Sequence, residues 1–327
     1  MKAVVTGGGG FLGRAIVEGL LARGDEVTSI SRGAYPELQA LGVRTVRADL
    51  ADAGALRAAI AGADTVFHAA AKAGVWGPRD EYFRTNVEGT RHVIEACRAH
   101  GVPRLVYTSS PSVCFDGADH VNAGNDLPYA RRFLAHYPAS KARAEALVLA
   151  ANSPELATCA LRPHLIFGPR DPHLVPRLLD RAKKGRLAIV GDGTNEVSLT
   201  YVDNAANAHL QAAESLAPGA RHAGKAYFIG QAQPVALWTW IDELLASQGL
   251  GPVTRRVSAQ TARRVGAALE LAWRALHLPG EPPMTRFVAA QLSTSHTYDL
   301  APARDDFGYR EDVSLAEGTR RTLASLG

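Results

Sequence analysis

The sequence has 327 residues, 46% hydrophobic and 21% charged, with a formal net charge of +4, enough for a full α/β core and a smaller second lobe. The basic residues are scattered and not interleaved with aromatics, which argues against a nucleic-acid partner, and no run reaches the roughly eighteen apolar residues of a membrane span. Cys97, Cys114 and Cys159 are odd in number, far apart and free of any CxxC. No disulfide framework and no metal site are expected, and a reducing cytoplasm is the default. Residues 1–20 open on a strand pattern rather than a targeting segment.

Residues 3–6 form a short apolar run ending in Gly7-Gly8-Gly9-Gly10, and Phe11, Leu12, Ala15, Ile16 and Leu20 follow at helical spacing. This pattern predicts a buried strand turning sharply into a helix over residues 11–23. Gly7, Gly10 and Gly13 have the spacing GxxGxxG, which lets backbone approach a pyrophosphate held at the helix N-terminus. With Phe11 and Leu12 they begin an expected dinucleotide site. A second strand over 26–30 runs into Ser31-Arg32, where NAD-preferring sites carry an acidic residue for the ribose hydroxyl. A guanidinium pairs with a 2′-phosphate instead, so NADP(H) is expected ahead of NAD(H). A third strand at 43–48 ends at Asp49-Leu50, where a carboxylate can accept from the adenine amino group. Asp52 reads as the N-cap of a helix over 53–61. The fourth strand, 65–71, ends in small residues, among which Ala69 and Ala70 let a cofactor pass close. His68 reads as packed beside the sheet rather than catalytic. Lys72 (a further cofactor contact) and Trp76 (a substrate contact) lie in the next loop, at the ligand-binding edge of such sheets.

A long helix over 81–100 contains Asn86, and a fifth strand over 104–110 ends in Ser109-Ser110. Residues 114–136 read as a loop of a length usually reserved for function. A helix over 138–151 and a sixth strand over 157–162 continue the alternation. The fold class implied is α/β, a doubly wound parallel sheet with helices on both faces. Residues 1–163 make the dinucleotide-binding domain, and residues 164–327 mainly a substrate lobe with some segments returning to the sheet. In that lobe 174–184, 202–215 and 238–247 read as helices and 187–190 as a strand. Residues 260–276 carry Ala262, Val265, Leu269, Ala272, Trp273 and Leu276 with arginines between. Such a helix packs on its own domain, covers an apolar substrate, or meets a membrane surface or partner.

Tyr137-Pro138-Ala139-Ser140-Lys141 is the strongest chemical signal. Residues four apart share one helical face, so a Lys141 ammonium beside Tyr137 is expected to lower the phenol from its usual value of roughly 10. That suits proton transfer during reduction of a ketone. Ser110 donates to the developing oxyanion, with Ser109 and Ser112 as competitors for that place. Asn86 braces the helix or relays a proton, and Tyr137 and Lys141 are also expected to meet the cofactor, Lys141 at the nicotinamide ribose.

Thr6-Gly7-Gly8-Gly9-Gly10-Phe11-Leu12-Gly13, Asp49-Leu50, His68-Ala69-Ala70-Ala71, Asn86, Tyr107-Thr108-Ser109-Ser110, Tyr137-Pro138-Ala139-Ser140-Lys141 and Arg162-Pro163 stand in this order. The set resembles the extended short-chain dehydrogenase/reductase family, in its 3β-hydroxysteroid dehydrogenase-like branch, over the whole length. The resemblance implies a Rossmann fold, catalysis by Tyr137, Lys141, Ser110 and Asn86, and Pro163 beside the nicotinamide carboxamide. Arg32-Gly33-Ala34-Tyr35-Pro36-Glu37-Leu38, Ala71-Lys72-Ala73-Gly74-Val75-Trp76-Gly77, Gly280-Glu281-Pro282-Pro283-Met284-Thr285-Arg286-Phe287 and Asp306-Phe307-Gly308-Tyr309 are similar to the reductases of bacterial long-chain olefin biosynthesis. That likeness implies NADPH-dependent reduction of an apolar 2-alkyl-3-oxoalkanoate to the 2-alkyl-3-hydroxyalkanoate. It also implies association with a β-lactone synthetase and a β-lactone decarboxylase. Cys114-Phe115 replaces the Tyr-Gly of many relatives, which leaves the substrate wall near Ser112 open. A homodimer and a peripheral membrane contact are compatible with the sequence.

Three rival readings use the same residues. One is a 3β-hydroxysteroid-type NAD(P)-dependent alcohol dehydrogenase. Another is a sugar-nucleotide epimerase, with Arg177, Arg181, Lys183, Lys184 and Arg186 as its phosphate ligands. The third is a non-catalytic NADP-sensing protein, against which the intact Tyr137, Lys141 and Ser110 set argues.

Overall fold

The structure, a computed structural model, describes residues 1–326; Gly327, the end of the expected second lobe, lies outside the described residues. In chain order come β1 (Lys2–Thr6), α1 (Phe11–Ala22), β2 (Glu26–Ser31), α2 (Pro36–Ala40), β3 (Arg44–Arg47), α3 (Ala53–Ile60) and β4 (Thr65–His68). Then follow α4 (Arg79–Phe83), a π-helical turn (Arg84–Glu88), α5 (Gly89–Ala99), β5 (Arg104–Thr108), β6 (His120–Ala123), α6 (His136–Ala150) and β7 (Ala157–Pro163). Later helices include α7 (Leu174–Lys183), α8 (Val202–Ser215), α9 (Leu237–Ser247) and α10 (Ala259–Ala275).

Seven parallel strands form the central sheet in the order Lys225–Ile229, β7, β5, β4, β1, β2, β3. The chain winds outward in opposite directions from β1 and β4, so their carboxyl ends flank the switch point where such sheets bind ligands. Period-two alternation along β1 serves both faces. Ala3 and Val5 join the core under α1 and α8, and Val4 joins the core under α3 and α5. Every residue of β7 is buried, as expected of a strand covered on both sides.

Three features depart from the sequence pattern. Lys225–Ile229 supplies a seventh strand beyond the six expected, directly beside β7. The expected loop 114–136 carries β6, which joins Val235–Ala236, Glu196–Val197 and His296–Tyr298 in a second sheet. Its partner strand is very distant in sequence, and Asn122 N–H donates to the Thr297 hydroxyl at 2.7 Å, so no local periodicity could reveal it. The expected helix 81–100 is broken by the π-helical turn at Asn86, the kind of irregularity that often marks functional positions.

The packing of α10 also departs from its apolar pattern. Its buried residues are Ala262, Gly266 and Glu270, spaced four apart. A Cβ on Gly266 would stand 2.7 Å from the Thr285 carbonyl carbon, so the helix lies hard against that backbone. Val265 and Leu276, expected on the packing face, are exposed together with Leu271.

Candidate active site

The β1–α1 turn is built by backbone. Gly7 takes φ of 74° and donates to the Ile30 carbonyl at 2.7 Å, while Gly10 N–H donates to the Gly7 carbonyl at 2.8 Å. A Cβ on Gly13 would stand 2.0 Å from the Gly7 carbonyl oxygen, so helix and strand approach only because none is there. Gly10 caps α1 without a side-chain hydrogen bond, and no acidic residue occupies the first turn. The free N–H groups and the positive end of the helix dipole therefore form a seat for an anion. Gly13→Ala is expected to weaken NAD(P)H binding at least tenfold, because overpacking against fixed backbone costs about 1–3 kcal/mol. Fluorescence titration alongside a melting curve checks this.

Above the turn lies a groove of about 430 Å³ lined by Gly7, Gly10, Phe11, Leu12, Gly13, Ser31, Arg32, Asp49, Leu50, Ala69 and Ala70. Its glycine floor and anion seat fit a dinucleotide. Ser31 Oγ accepts from Gly9 N–H at 3.1 Å, and the Arg32 carbonyl accepts from Arg47 Nε at 3.0 Å, which sets a second cation beside Arg32. Asp49 accepts from Ala51 N–H, and Asp52 caps α3 by accepting from Ala55 N–H. Tyr35, Thr85, Pro172 and His173 also line the groove without having been anticipated. The Tyr35 ring lies so close that a Cβ on Gly9 would fall 2.2 Å from it. Its only signal is its place just after Arg32; Pro172 and His173 return from beyond the sheet and carry none.

Four expected cofactor residues lie outside that groove. Lys72 turns its ammonium to Glu81 at 2.8 Å, where an exposed carboxylate attracts it away from the sheet edge. Pro163 ends β7 in register with Ile229, packed between strands. Tyr137 and Lys141 stand on α6, across β5 from the glycine turn.

Asn86 braces rather than faces open space. Its Oδ1 accepts from Lys72 N–H at 2.7 Å, and its Nδ2 donates to the Lys72 carbonyl at 3.0 Å and to Ser140 Oγ at 2.9 Å. The amide thereby ties the loop after β4 to α6, one residue before Lys141. His68 is buried between Thr6 and Thr90 hydroxyls at 2.6 and 2.9 Å, and burial pushes its imidazole down to about 3. That is a packed, neutral ring.

The Ser110 hydroxyl lies close enough to the Tyr137 phenol to act on its acidity. Ser110 Oγ lies 2.9 Å from Ser112 Oγ and accepts from Ser112 N–H at 3.2 Å. Ser109, the other competitor, is buried on the Glu145 side. Burial raises the Tyr137 phenol above its ordinary value, and the nearby Ser110 hydroxyl opposes that rise. The expected lowering by Lys141 is therefore absent, for a geometric reason. Lys141 Nζ donates to the Thr108 carbonyl at 2.5 Å and lies 4.1 Å over the Tyr107 ring. Burial pulls the ammonium down to about 7, and Glu145 resists that fall.

Glu145, one turn beyond Lys141, extends the array. Arg162 Nε and Nη2 donate to it at 3.0 and 2.6 Å, and Tyr129 Oη donates at 2.8 Å. The spacing 137, 141, 145 was its available signal.

A separate cleft of about 750 Å³ reaches His136, the residue before Tyr137, and is also lined by Val75, Trp76, Tyr82, Phe133, Leu134 and, from α10, Glu270, Trp273 and Arg274. Trp76, expected as a substrate contact, lines this cleft. Ser112 does not line the cleft but backs Ser110. The loop after β4 gives Ala69, Ala70 and Ala71 to the groove and Val75, Trp76 and Gly77 to the cleft, so it joins the two. Among the described residues no group of three or more His, Cys, Asp or Glu could hold a metal. No helix among them is long and apolar enough to cross a membrane.

Residues 4–257 match the 3-beta hydroxysteroid dehydrogenase/isomerase family. The chain is 54% identical to a 2-alkyl-3-oxoalkanoate reductase of Stenotrophomonas maltophilia, covering 99% of both chains. It is 36% identical to the mouse (Mus musculus) sterol-4-alpha-carboxylate 3-dehydrogenase, decarboxylating, covering 99% of this chain and 91% of that one. Its structure resembles the Thermus thermophilus UDP-glucose 4-epimerase complex with NAD, with a TM-score of 0.74, 26% identity, and coverage of 99% and 98%. The chain belongs to the 3-beta hydroxysteroid dehydrogenase/isomerase family, within the extended short-chain dehydrogenases/reductases, and is an NAD(P)-dependent oxidoreductase acting on the CH–OH/C=O pair.

Proposed function

We propose that this protein uses NADPH to reduce the 3-keto group of a 2-alkyl-3-oxoalkanoate to the 2-alkyl-3-hydroxyalkanoate. The reading rests on the neighbouring Tyr137 and Ser110 hydroxyls, together with a dinucleotide-shaped groove and a large cleft that reaches His136, the residue before Tyr137. The relatives support it. One is named for such a keto acid, and the other for a sterol whose reacting 3-position neighbours a 4-carboxylate. Both names place oxygen chemistry one carbon away from the carbon bearing a carboxylate. Bound in the groove, the cofactor supplies the hydride.

Ser110 donates a hydrogen bond to the ketone oxygen, and Tyr137 delivers its proton there as charge develops. The raised phenol value keeps Tyr137 in the protonated, donor form across neutral pH. Asn86 holds the loop and α6 in register, and Lys141 is fixed to the end of β5. Arg32, with Arg47 beside it, pairs with the 2′-phosphate. Arg32→Ala is expected to weaken NADPH binding about 10- to 100-fold, since hydrogen bonds to charged groups are worth about 1.5–3 kcal/mol. NADH binding should change little. Equal losses for both cofactors would remove the phosphate role.

The direct test is turnover of a synthetic 2-alkyl-3-oxo acid with NADPH, set against a sterol substrate with NADH. A preference for the sterol would favour the hydroxysteroid-type alcohol dehydrogenase, the second reading suggested by the family. An epimerase fits less well. Arg177 and Arg181 are engaged with Glu281 and the Pro283 carbonyl, and Lys184 with Asp180. Three buried, unpaired cysteines suit a reducing cytoplasm.

A further inference from the structure

We propose that Arg274 of α10 anchors the substrate's carboxylate and makes the cleft prefer an acid over a neutral ketone. This rests on the keto-acid reading above and names the group that recognises the acid.

Three guanidinium groups line the cleft, those of Arg79, Arg274 and Arg286, and two are committed elsewhere. Arg286 donates through Nε at 2.8 Å and lies 2.7 Å through Nη2 from Glu270, which also accepts the Arg286 backbone N–H at 2.7 Å. Arg79 lies 4.1 Å over the Phe83 ring and 3.5 Å from Asp80. Arg274 is different. Its natural partner one turn back is Glu270, which Arg286 already holds. Among the described residues no carboxylate lies within the 4.0 Å of an ion pair from it. Instead the guanidinium stacks 5.2 Å from the Trp76 ring centre. An aromatic face orients a planar guanidinium while leaving its N–H edge open, the arrangement suited to bidentate capture of a carboxylate.

Position matters as much as charge. Burial lowers the His136 imidazole, and the Arg274 and Arg79 charges lower it further. The cation field thus reaches the residue immediately before Tyr137. In a 3-keto acid the carboxyl carbon is separated from the ketone carbon by a single atom. Holding the acid group therefore holds the ketone relative to Tyr137 and Ser110. Val75, Phe133, Leu134 and Trp273 supply apolar walls for the alkyl chains. In this arrangement α10 contributes specificity as well as cover.

Calorimetric binding of a 2-alkyl-3-hydroxy acid and of its methyl ester, with NADP present, tests the assignment without requiring turnover. The wild type should bind the acid at least about tenfold more tightly than the ester, as expected for a charge-assisted bidentate pair. Arg274→Gln should abolish that preference, Arg274→Lys should restore part of it, and Arg79→Gln should leave it within about twofold. No preference in the wild type, an unchanged preference in Arg274→Gln, or an equal loss in Arg79→Gln would overturn the assignment. Turnover of the keto acid by the wild type is scored separately. A protein that shows the Arg274-dependent preference but reduces no keto acid refutes the proposed reaction and keeps the anchor.

Discussion

Tyr137→Phe is expected to lower kcat for ketone reduction about 1000-fold, within the usual contribution of roughly 100- to 10,000-fold from a positioned acid. The phenyl ring keeps the shape of the helix start and removes only the proton that the ketone oxygen must receive. NADPH affinity should hold within about twofold, because Tyr137 does not line the groove at the glycine turn. Ser110→Ala should cost about 100- to 1000-fold, the range for one lost oxyanion donor. The two variants separate proton delivery from hydrogen-bond donation at two neighbouring hydroxyls. Their combined loss should be smaller than the product of the single losses, because each depends on the other for its aim. Steady-state NADPH oxidation together with fluorescence titration checks both points. A kcat within tenfold of wild type for Tyr137→Phe would end the assignment of this phenol as the acid.

Much of the central sheet and of the cofactor groove can be read from local pattern, because the determinants are close in sequence. Gly7, Gly10 and Gly13 lie within one turn, and the period-two burial of Ala3, Val4 and Val5 follows from the strand itself. Tyr137 and Lys141 share a helix face for the same reason. What was hidden depends on distant partners. β6 forms only because His296–Tyr298 lies beside it, and Tyr35 reaches the groove by folding back over Gly9. Lys141 illustrates the limit differently. Its spacing from Tyr137 was legible, but the Thr108 carbonyl that captures its ammonium sits on another element. The exposed face of α10 follows from Gly266, whose contact with the Thr285 backbone fixes the helix rotation against the apolar pattern.

The second large effect is on stability. Glu145 is fully buried and Arg162 nearly so, and the two form an ion pair at 2.6 Å. Burial works against both ions. Arg162 nevertheless holds the Glu145 carboxyl below its ordinary value, and Glu145 raises the guanidinium. Removing one partner leaves the other charged and unpaired in a dry setting, which costs about 3–5 kcal/mol. Glu145→Gln should therefore lower the denaturation midpoint far more than the double variant Glu145→Gln with Arg162→Met, which removes the stranded cation. The sign of the pH dependence follows from the lowered carboxyl. Its stabilisation is present above the unfolded carboxylate range, near roughly 4.3, and is lost as pH falls through the lower folded value. The gap between wild type and Glu145→Gln should thus be full at neutral pH and narrow in acid. The same substitution carries a catalytic signature. Glu145 resists the fall of Lys141 to about 7, so without it Lys141 sheds its proton at lower pH. Any step that needs the ammonium, such as steadying the end of β5 beneath Ser110, then fails at lower pH in Glu145→Gln than in wild type. A kcat/KM profile whose alkaline fall does not move would detach Glu145 from Lys141 and leave it a purely structural ion.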